Sequence, residues 1–318
     1  MKPLSFASLV YSHKKKKTRR EQFLEEMDRV IPWEGMLKAI SPHYPKAGNG
    51  RHPMELEMML RIYFLQQWYG LSDPAMEDSL YDIESMRRFA GIDLHSDAVP
   101  DETTILHFRH LLEKHKLTEK LFEQTRQYLT EKGLMVREGT IVDATILNAS
   151  SSTKNKEATR DKEMKQTKKG NQWYFGMKAH VGTDTGKGLV HSVKVTNAAV
   201  HDSKVMSELL HGEEKAVYGD KAYAGADRQR ECESRGIKWC VKRKAVRGTK
   251  LSEADKEYNH RQGKVRAKVE HVFQIVKHLW KYRNVRYKGL YKNAVQVYSL
   301  FTLANLYLVR RELVMMKG

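Results

Sequence analysis

Residues 139–147 read GTIVDATIL, a run of apolar and β-branched side chains that contains a single carboxylate, Asp143. Such a run is typical of a central strand in a sheet that is covered on both faces. An ionised carboxylate in that setting costs free energy unless it is paired or binds a cation. The stretch therefore predicts an α/β fold and marks Asp143 as a candidate functional residue.

The pattern downstream of this strand predicts the rest of the sheet. Residues 174–182 and 189–196 are expected as strands around the turn TDTG, whereas residues 151–172 have no apolar periodicity and are predicted as a mobile basic loop. Alternating units follow, with helices expected at 202–210, 226–235 and 263–282 and strands at 215–219 and 237–241. The order βββαβαβα predicts a mixed sheet with helices on its faces, as in the ribonuclease H fold.

The region upstream of the strand has the periodicity of helices only. Helices are predicted over residues 20–40, 53–69, 72–81, 84–90 and from 101 onwards, with Ser72 and Asp101 as N-caps. Residues 21–136 carry 13 basic and 20 acidic side chains, so this region has no positive excess. Contact with DNA and a structural or dimerisation role are equally compatible with it.

The charge of the chain is concentrated in its second part. The 318 residues include 57 Lys and Arg against 39 Asp and Glu, a net charge of +18, and 40% are hydrophobic, which indicates a folded binder of polyanions. Residues 137–318 hold the whole excess, and residues 241–292 alone carry 16 basic and 4 acidic side chains interleaved with aromatic ones. A second basic cluster spans residues 14–20. A path for nucleic acid is favoured over a merely solvated surface.

Other features of the sequence indicate where in the cell the protein is expected to act. The two cysteines do not have the spacing of a zinc site or a disulfide framework, and the first 20 residues do not have the order of a secretory signal. Polar residues recur at every third position of the apolar stretch 293–309, which predicts a buried helix and no membrane span. No Gly-rich loop followed by Lys-Ser/Thr is present, so no nucleotide cofactor is expected. We expect a cytoplasmic, nucleoid-associated protein.

Four parts are predicted from these patterns. They are a basic N-terminal tail (1–20), a helical N-terminal domain (21–136), a ribonuclease H-like catalytic domain (137–292) and a C-terminal helix packed on the catalytic domain (293–318).

Two further carboxylates accompany Asp143. Asp220 ends a predicted strand, where sites collect in open α/β sheets, and Glu270 lies at the border of the apolar stripe of the 263–282 helix, in line with Arg266 and Lys277. A plain Arg266–Glu270 ion pair is the alternative interpretation. Taken together, three oxygen ligands suit Mg²⁺, with Mn²⁺ as a substitute, and two such ions support in-line phosphoryl transfer.

Candidate DNA contacts surround these carboxylates. Arg266 and Lys277 suit phosphates next to the reacting one, Lys168 and Lys169 lie in the basic loop, and Lys264 precedes Arg266. Trp173 is expected either to stack on a distorted base or to pack in the core. The pair His201-Asp202 suggests either a metal site or a helix cap at Asp202, and His180 and His191 are predicted as ordinary sheet residues.

Long segments resemble the transposases of insertion-sequence family five. They are YPKAGNGRHP, WYGLSDPAMED and PDETTILHFRHLLE in the N-terminal region and GTIVDATILNASSSTKNK, QTKKGNQWYFGMKAHVG, LLHGEE, GDKAYAG, VRAKVEHVFQIVK and RYKGLYKNAVQVYSLFTLANL downstream. The resemblance covers nearly the whole chain. The related signature Tyr-x2-Arg-x3-Glu-x6-Lys is matched at Arg266, Glu270 and Lys277, with Gly263 at its tyrosine position and Tyr258 as the nearest tyrosine.

This resemblance implies a DNA transposase with the Asp-Asp-Glu triad Asp143, Asp220 and Glu270. Such an enzyme binds the terminal inverted repeats of its element, cleaves the ends and joins them to target DNA with Mg²⁺, and it works in a synaptic complex, here expected as a homodimer on double-stranded DNA. Three alternatives remain open: a catalytically silent DNA-binding protein derived from a transposase, an RNA-binding or ribosome-associated protein, and a nuclease without joining activity.

Overall fold

The computed structural model describes residues 14–48, 52–154, 159–245 and 248–317. They belong to two compact units. The first comprises the chain up to Leu121 together with the residues from Val309 onwards, and the second runs from Phe122 to Leu308. Most of the predicted basic tail, residues 1–13, lies outside the described residues, while Lys14 and Lys17 form ion pairs with Glu21 and Glu25.

The first unit is helical, as its periodicity predicts. Its helices are α1 (Arg19–Val30), α2 (Trp33–Ile40), α3 (Leu56–Tyr69), α4 (Asp73–Asp82), α5 (Glu84–Ala90) and α6 (Glu102–Lys114). The predicted single helix over residues 20–40 is two helices, and Pro32, which has no N–H to donate, lies between them. The predicted caps are confirmed, because Ser72 accepts from the Ala75 N–H and Asp101 from the Thr104 N–H. Helix α7 (Leu117–Glu131) contains the division between the units.

In the described part of the second unit, six strands form one mixed sheet. They are β1 (Gly139–Asn148), β2 (Lys165–Lys169), β3 (Gln172–Asp184), β4 (Val190–Asn197), β5 (Ala216–Gly219) and β6 (Lys238–Val241). β3 is antiparallel to its neighbours β1 and β4, whereas β1, β5 and β6 are parallel. The resulting order β4-β3-β1-β5-β6, with β1 in the centre, is the ribonuclease H-like arrangement and confirms the predicted fold class.

The short strand β2 corrects the prediction that residues 151–172 form a loop. Lys165 lies opposite Gly176 and Lys169 opposite Gln172 in an antiparallel pair with the start of β3. Most β2 side chains are exposed, so this strand is held by its backbone pairing rather than by burial. A basic sequence without apolar alternation gives no signal for such a strand. Residues 155–158 of the same segment lie outside the described part of the chain.

The predicted helix over residues 202–210 is wrong, because the structure has two short 3₁₀ helices there, Asp202–Lys204 and Met206–Leu209. The cap predicted at Asp202 is wrong as well. Its carboxylate accepts a hydrogen bond from Lys178 Nζ at 2.9 Å, and the side chain of His201 accepts from the Ser203 N–H instead.

The remaining helices of the second unit are α8 (Ala226–Ser234), α9 (Glu253–Arg266), α10 (Lys268–Gln274) and α11 (Leu290–Leu308). The predicted helix over residues 263–282 thus begins earlier and is interrupted at Ala267. It ends in a π turn, Ile275–Leu279, in which the Trp280 N–H bonds to the Ile275 carbonyl. The wider turn shifts the apolar face by one residue, which leaves Leu279 half exposed and buries Ile275.

The predicted C-terminal helix, residues 293–318, consists of α11 and a separate helix α12 (Arg310–Lys317). On α11, Asn305 forms two hydrogen bonds with the main chain of Val190 in β4, at 2.8 and 2.7 Å, which explains one of the regularly spaced polar residues. Helix α12 belongs to the first unit, where Arg310 pairs with Glu26 at 2.9 Å. Among the described residues, none of the helices combines the length and apolar character that crossing a membrane requires.

Candidate active site

Asp143 lies in the middle of the central strand. Val142 packs into an apolar cluster with Leu209 and Val241, and alternation along the strand turns Asp143 to the opposite face. There its Oδ1 accepts a hydrogen bond from the Ala144 N–H at 2.8 Å, and its Oδ2 accepts one from Arg266 Nη2 at 2.8 Å. Burial raises the pKa of Asp143, against the lowering effect of Arg266, and Asp220 raises it further.

Asp220 follows the end of β5, the parallel neighbour of β1. Gly219 is paired with Val142, so Asp220 and Asp143 occupy corresponding positions on adjacent strands. A Cβ at Gly219 would lie 3.2 Å from Val142 and 3.3 Å from Tyr223, which shows how closely the chain packs where it leaves the sheet. Asp220 Oδ1 accepts from the Lys221 N–H at 2.7 Å and begins the 3₁₀ turn Lys221–Tyr223.

Glu270 lies on α10, across the helix interruption from Arg266. Its Oε1 accepts a hydrogen bond from Arg266 Nη1 at 3.4 Å, and the side chain is 52% exposed. The ion pair that the sequence offers as an alternative interpretation is therefore present. It is one half of a larger arrangement, since the same guanidinium also holds Asp143.

Arg266 bonds to two of the three carboxylates, Asp143 and Glu270. Burial opposes its charge, but Asp143, Asp220 and Glu270 together raise its pKa. The structure thus brings the predicted triad into the field of one cation. The contact with Asp143 joins residues 123 positions apart, and helical spacing alone could not indicate it.

The donor set was tested as a site for a divalent ion. All three side chains offer only oxygen, which suits Mg²⁺ or Mn²⁺, and the burial of Asp143 creates a demand for a positive neighbour. Within the described residues, however, no group of three Asp, Glu, His or Cys side chains lies close enough to hold a metal ion. Arg266 pairs with Asp143 and Glu270 in this arrangement. The residues fit such an ion by the chemistry of their donor atoms.

Tyr223 is a member of this cluster that the sequence did not single out. It is 1% exposed, and its hydroxyl has no hydrogen-bond partner among the residues that the structure describes. Burial raises the pKa of this hydroxyl, and the carboxylates Asp143, Asp202 and Asp220 raise it further. The segment GDKAYAG contained the signal, because Tyr223 follows Asp220 by one 3₁₀ turn.

Lys277, predicted in line with Arg266 and Glu270 as a phosphate contact, is bonded to β1 in the structure. Its Nζ donates to Thr145 Oγ1 at 3.1 Å and to the Ile146 carbonyl at 2.8 Å, so it fastens the π turn to β1. Burial lowers the pKa of Lys277, and the charges of Lys169 and Arg283 lower it further. Basic side chains of β2 and of the segment after the π turn therefore lie near the carboxyl end of β1.

The other predicted DNA contacts are exposed. Lys168 and Lys169 lie on β2, Trp173 on β3 is 65% exposed, and Lys264 projects from α9. The exposure of Trp173 rules out the core position that was the alternative for it.

Asp161 and Glu163, which precede β2, accept hydrogen bonds from the main-chain N–H groups of residues 289 and 290 at the start of α11.

The histidines are distributed as predicted. His180 and His191 are buried sheet residues, with hydrogen bonds from their rings to Thr196 Oγ1 at 2.9 Å and to Thr140 Oγ1 at 3.1 Å respectively. His201 is exposed and contacts Ser203. Among the described residues, neither His201 nor Asp202 belongs to a group that could hold a metal ion.

Comparison with known proteins agrees with this geometry. The family described as "Transposase DDE domain" matches residues 135–306, and the family described as "Transposase domain (DUF772)" matches residues 12–111. The two domains together are typical of transposases like those of insertion-sequence family five. A chain from the cryo-EM structure titled "piggyBac transposase synaptic complex with hairpin DNA" is similar at a TM-score of 0.44 and 10% identity, over 92% of this chain and 74% of that one.

The match to the DDE domain covers more than half of the chain and contains β1, β5 and α10, the elements that carry the three carboxylates. Members of this family are enzymes of DNA transposition and generally use divalent metal ions. The chain belongs to the family of DDE-domain transposases.

Proposed function

We propose that the chain binds the terminal inverted repeats of the insertion sequence that encodes it, cleaves the ends and joins them to target DNA. Asp143, Asp220 and Glu270 are the proposed catalytic carboxylates. The observation that carries this proposal is the bonding of Asp143 and Glu270 to one guanidinium, Arg266, with Asp220 at the position on β5 that corresponds to Asp143 on β1. Asp220 follows the carboxyl end of β5, where sites form in open α/β sheets.

The proposed ligands of the divalent ions are the same three carboxylates, with Mg²⁺ expected and Mn²⁺ as a substitute. When bound, two such ions activate the attacking water or 3′ hydroxyl and stabilise the leaving oxygen during in-line attack on phosphorus. Arg266 neutralises the carboxylates before DNA arrives. A DNA phosphate is a competing partner for its guanidinium, so arrival of DNA frees the carboxylates and brings Arg266 onto the phosphate.

The other basic side chains near the carboxylates have different roles in this proposal. Lys277 holds the π turn against β1 and keeps a positive charge near the reacting phosphate. Lys168, Lys169 and Lys264 contact phosphates of the duplex, and the exposed ring of Trp173 stacks on a base distorted from the helix. Proximity of Lys169 to Lys277 supports a basic path that leads from β2 to the carboxylates.

The assembly proposed for this reaction is a homodimer on double-stranded DNA, because two ends must be held together for joining. Residues 21–136 recognise the ends or pair the two protomers in this scheme, and the site of action is the DNA of the nucleoid. Their matched transposase domain supports a part in transposition without choosing between the two tasks.

A second candidate is a catalytically silent DNA-binding protein. It is favoured by one observation, the bonds of Arg266 to Asp143 and Glu270, by which a cation of the chain itself pairs with two of the three carboxylates. In that case DNA binding would persist and metal would have no effect.

The test is cleavage and joining of a labelled duplex that carries the terminal DNA flanking the gene, with Mg²⁺. Wild type is compared with Asp220→Asn and with Asp227→Asn, a control on the exposed surface of α8. Products from wild type and Asp227→Asn, but not from Asp220→Asn, are expected. Binding by all three proteins without products from any of them would establish the silent alternative.

A further inference from the structure

A second feature adjoins Asp220 where β5 and its neighbour β6 end. A cavity of about 510 Å³ opens where the chain leaves β5 and β6, and Asp220, Lys221, Arg243, Lys244 and Leu251 line it. Ala222 and Ala245 contribute only short side chains to its wall. The cavity is therefore roomy, and charged side chains determine what it can hold.

Arg243 forms a fixed wall of this cavity. Its guanidinium pairs with Asp255 at 2.7 Å and lies 4.3 Å from the ring centre of Tyr258, both on α9. Its main chain is held twice by Asn259, once through its N–H at 2.8 Å and once through its carbonyl at 3.1 Å. The Tyr258 hydroxyl donates to the Trp239 carbonyl of β6 at 3.1 Å. These bonds hold the segment after β6 in place.

Lys221 and Lys244 carry positive charges that no carboxylate among the described residues neutralises. Both side chains are exposed, and among the described residues neither forms an ion pair with a carboxylate. Lys215, at the amino end of β5, contrasts with them because it pairs with Glu138 at 3.1 Å. With Arg243 paired to Asp255, the cavity presents two unpaired ammonium groups beside one carboxylate. A polyanion whose reacting group lies at the carboxylate is the complementary ligand.

We propose that this cavity binds the phosphodiester backbone of a DNA strand next to the reacting phosphate, with Lys221 and Lys244 as the phosphate contacts and Arg243 as its fixed wall. The inference rests on the proposed function and adds a subsite to it on the β6 side, opposite the path that leads from β2. The same backbone chemistry is offered by the element's end and by target DNA. The experiment therefore has an arm for each source.

The measurement is the salt dependence of DNA affinity. Every phosphate contact that a lysine makes releases counterions and steepens the slope of log K against log salt by about 0.9 on duplex DNA. Lys221→Gln/Lys244→Gln should flatten the slope by roughly 1.8 relative to wild type. The control Lys215→Gln/Lys238→Gln removes the same charge at the amino ends of the same two strands, and it should retain the wild-type slope.

Two duplexes distinguish the sources, one with the terminal DNA that flanks the gene and one of unrelated sequence. Flattening on the first assigns the cavity to the element's end, and flattening on the second assigns it to target DNA. Single neutral methylphosphonates along each strand locate the contact, since the position that weakens wild type should not weaken Lys221→Gln/Lys244→Gln.

Equal slopes for Lys221→Gln/Lys244→Gln and its control on both duplexes would overturn this subsite while leaving the proposed function intact. Failure of wild type to bind either duplex would overturn the proposed function and the subsite with it. Because all four lysines are exposed, the thermal unfolding of both double variants should match wild type, and the slopes then report binding alone.

Discussion

The two ends of β1 hold their carboxylates in different ways. At the amino end, Asp184 lies opposite Thr140 and accepts hydrogen bonds from four main-chain N–H groups, those of Val136, Lys187, Gly188 and Leu189. Further along the strand, Asp143 accepts from one main-chain N–H and from the side chain of Arg266. A main-chain donor cannot leave without local unfolding, whereas a side-chain cation can be exchanged for another.

A second buried carboxylate strengthens the comparison at the amino end. Glu214 accepts from Thr140 Oγ1 at 3.1 Å and from the main-chain N–H groups of His211 and Gly212. Thr140 in turn contacts the ring of His191. The polar groups here satisfy one another within the fold, so this end of β1 contributes to stability, whereas Asp143, further along the strand, is a proposed catalytic residue.

The largest expected effect is on DNA cleavage, and it distinguishes the proposed catalytic carboxylates from Asp184. Asp143→Asn and Glu270→Gln are nearly isosteric, yet each removes the charge of a carboxylate that we propose as a metal ligand. Cleavage should fall by about 10³-fold or more, equivalent to the several kcal/mol that metal ions contribute to such transition states. Asp184→Asn should leave the rate per folded molecule close to that of wild type.

Single-turnover cleavage of labelled end DNA measures these rates, with the folded fraction of each protein determined by circular dichroism. Retained cleavage in Glu270→Gln would remove that residue from the site. A loss in Asp184→Asn as large as that in Asp143→Asn would show that the comparison between the two ends is wrong.

The next largest expected effect is on the stability of the fold, and Asp184 is the residue that is changed. Asp184→Asn places an amide where the carboxylate accepts main-chain hydrogen bonds, and bonds to a charged acceptor contribute about 1.5–3 kcal/mol each. We expect a loss of roughly 2–3 kcal/mol in the free energy of unfolding, because one oxygen remains as an acceptor. Urea denaturation measures it. Asp227→Asn on the surface of α8 is the control, and an equal loss there would contradict the prediction.

Acid should also destabilise the fold at the amino end of β1, where Thr140 contacts the ring of His191. Burial lowers the pKa of His191 to about 3, with nearby His211 as the next cause. Between pH 6.5 and about 3 the unfolded chain takes up a proton there and the folded chain does not, so stability is lost as the pH falls through this window. The slope is at most about 1.4 kcal/mol per pH unit for this one group.

His191→Gln removes the titrating group and should flatten the dependence of the unfolding free energy on pH by up to that amount. Urea denaturation at several pH values within the window measures the slope. His271→Gln, at an exposed position, is the control for the loss of a histidine. An unchanged slope in His191→Gln would show that the buried ring is not what resists protonation.

The sequence predicted most of the frame on which this comparison depends. A carboxylate within GTIVDATIL and another at the end of a strand were sufficient to identify Asp143 and Asp220, because burial and strand position both have local signals. Asp184, by contrast, looked like an ordinary turn residue. Three of its four donors, Lys187, Gly188 and Leu189, belong to the turn that follows it, and Val136 comes from a segment that only the folded chain brings close.

The errors of the sequence analysis have different physical origins. The strand β2 forms because β3 offers it a paired edge, and the bond between Arg266 and Asp143 depends on how α9 meets the sheet. The π turn that exposes Leu279 is an interruption that a regular helical wheel cannot contain. Local sequence patterns predicted most of the helices and strands. The differences arise where the folded chain forms contacts or irregular turns that these patterns do not contain.

The smallest expected effect concerns the exchangeable partner itself. If Arg266 competes with a divalent ion for Asp143 and Glu270, Arg266→Met should tighten binding of Mn²⁺ in the absence of DNA. Removing a cation from this site also leaves three carboxylates whose repulsion an ion relieves. We expect an increase of about fivefold, or roughly 1 kcal/mol, because partial solvation screens the contribution of a single charge.

Isothermal titration with Mn²⁺ measures this affinity without requiring cleavage, and Arg261→Met, which removes an exposed cation from the same helix, is the matched control. Added end DNA should tighten Mn²⁺ binding to wild type more than to Arg266→Met, because in wild type the phosphate also draws Arg266 away from the carboxylates. Equal affinities for wild type, Arg266→Met and the control would mean that the guanidinium does not obstruct the ion. Asp143 would then differ from Asp184 only in accepting from one main-chain N–H group instead of four.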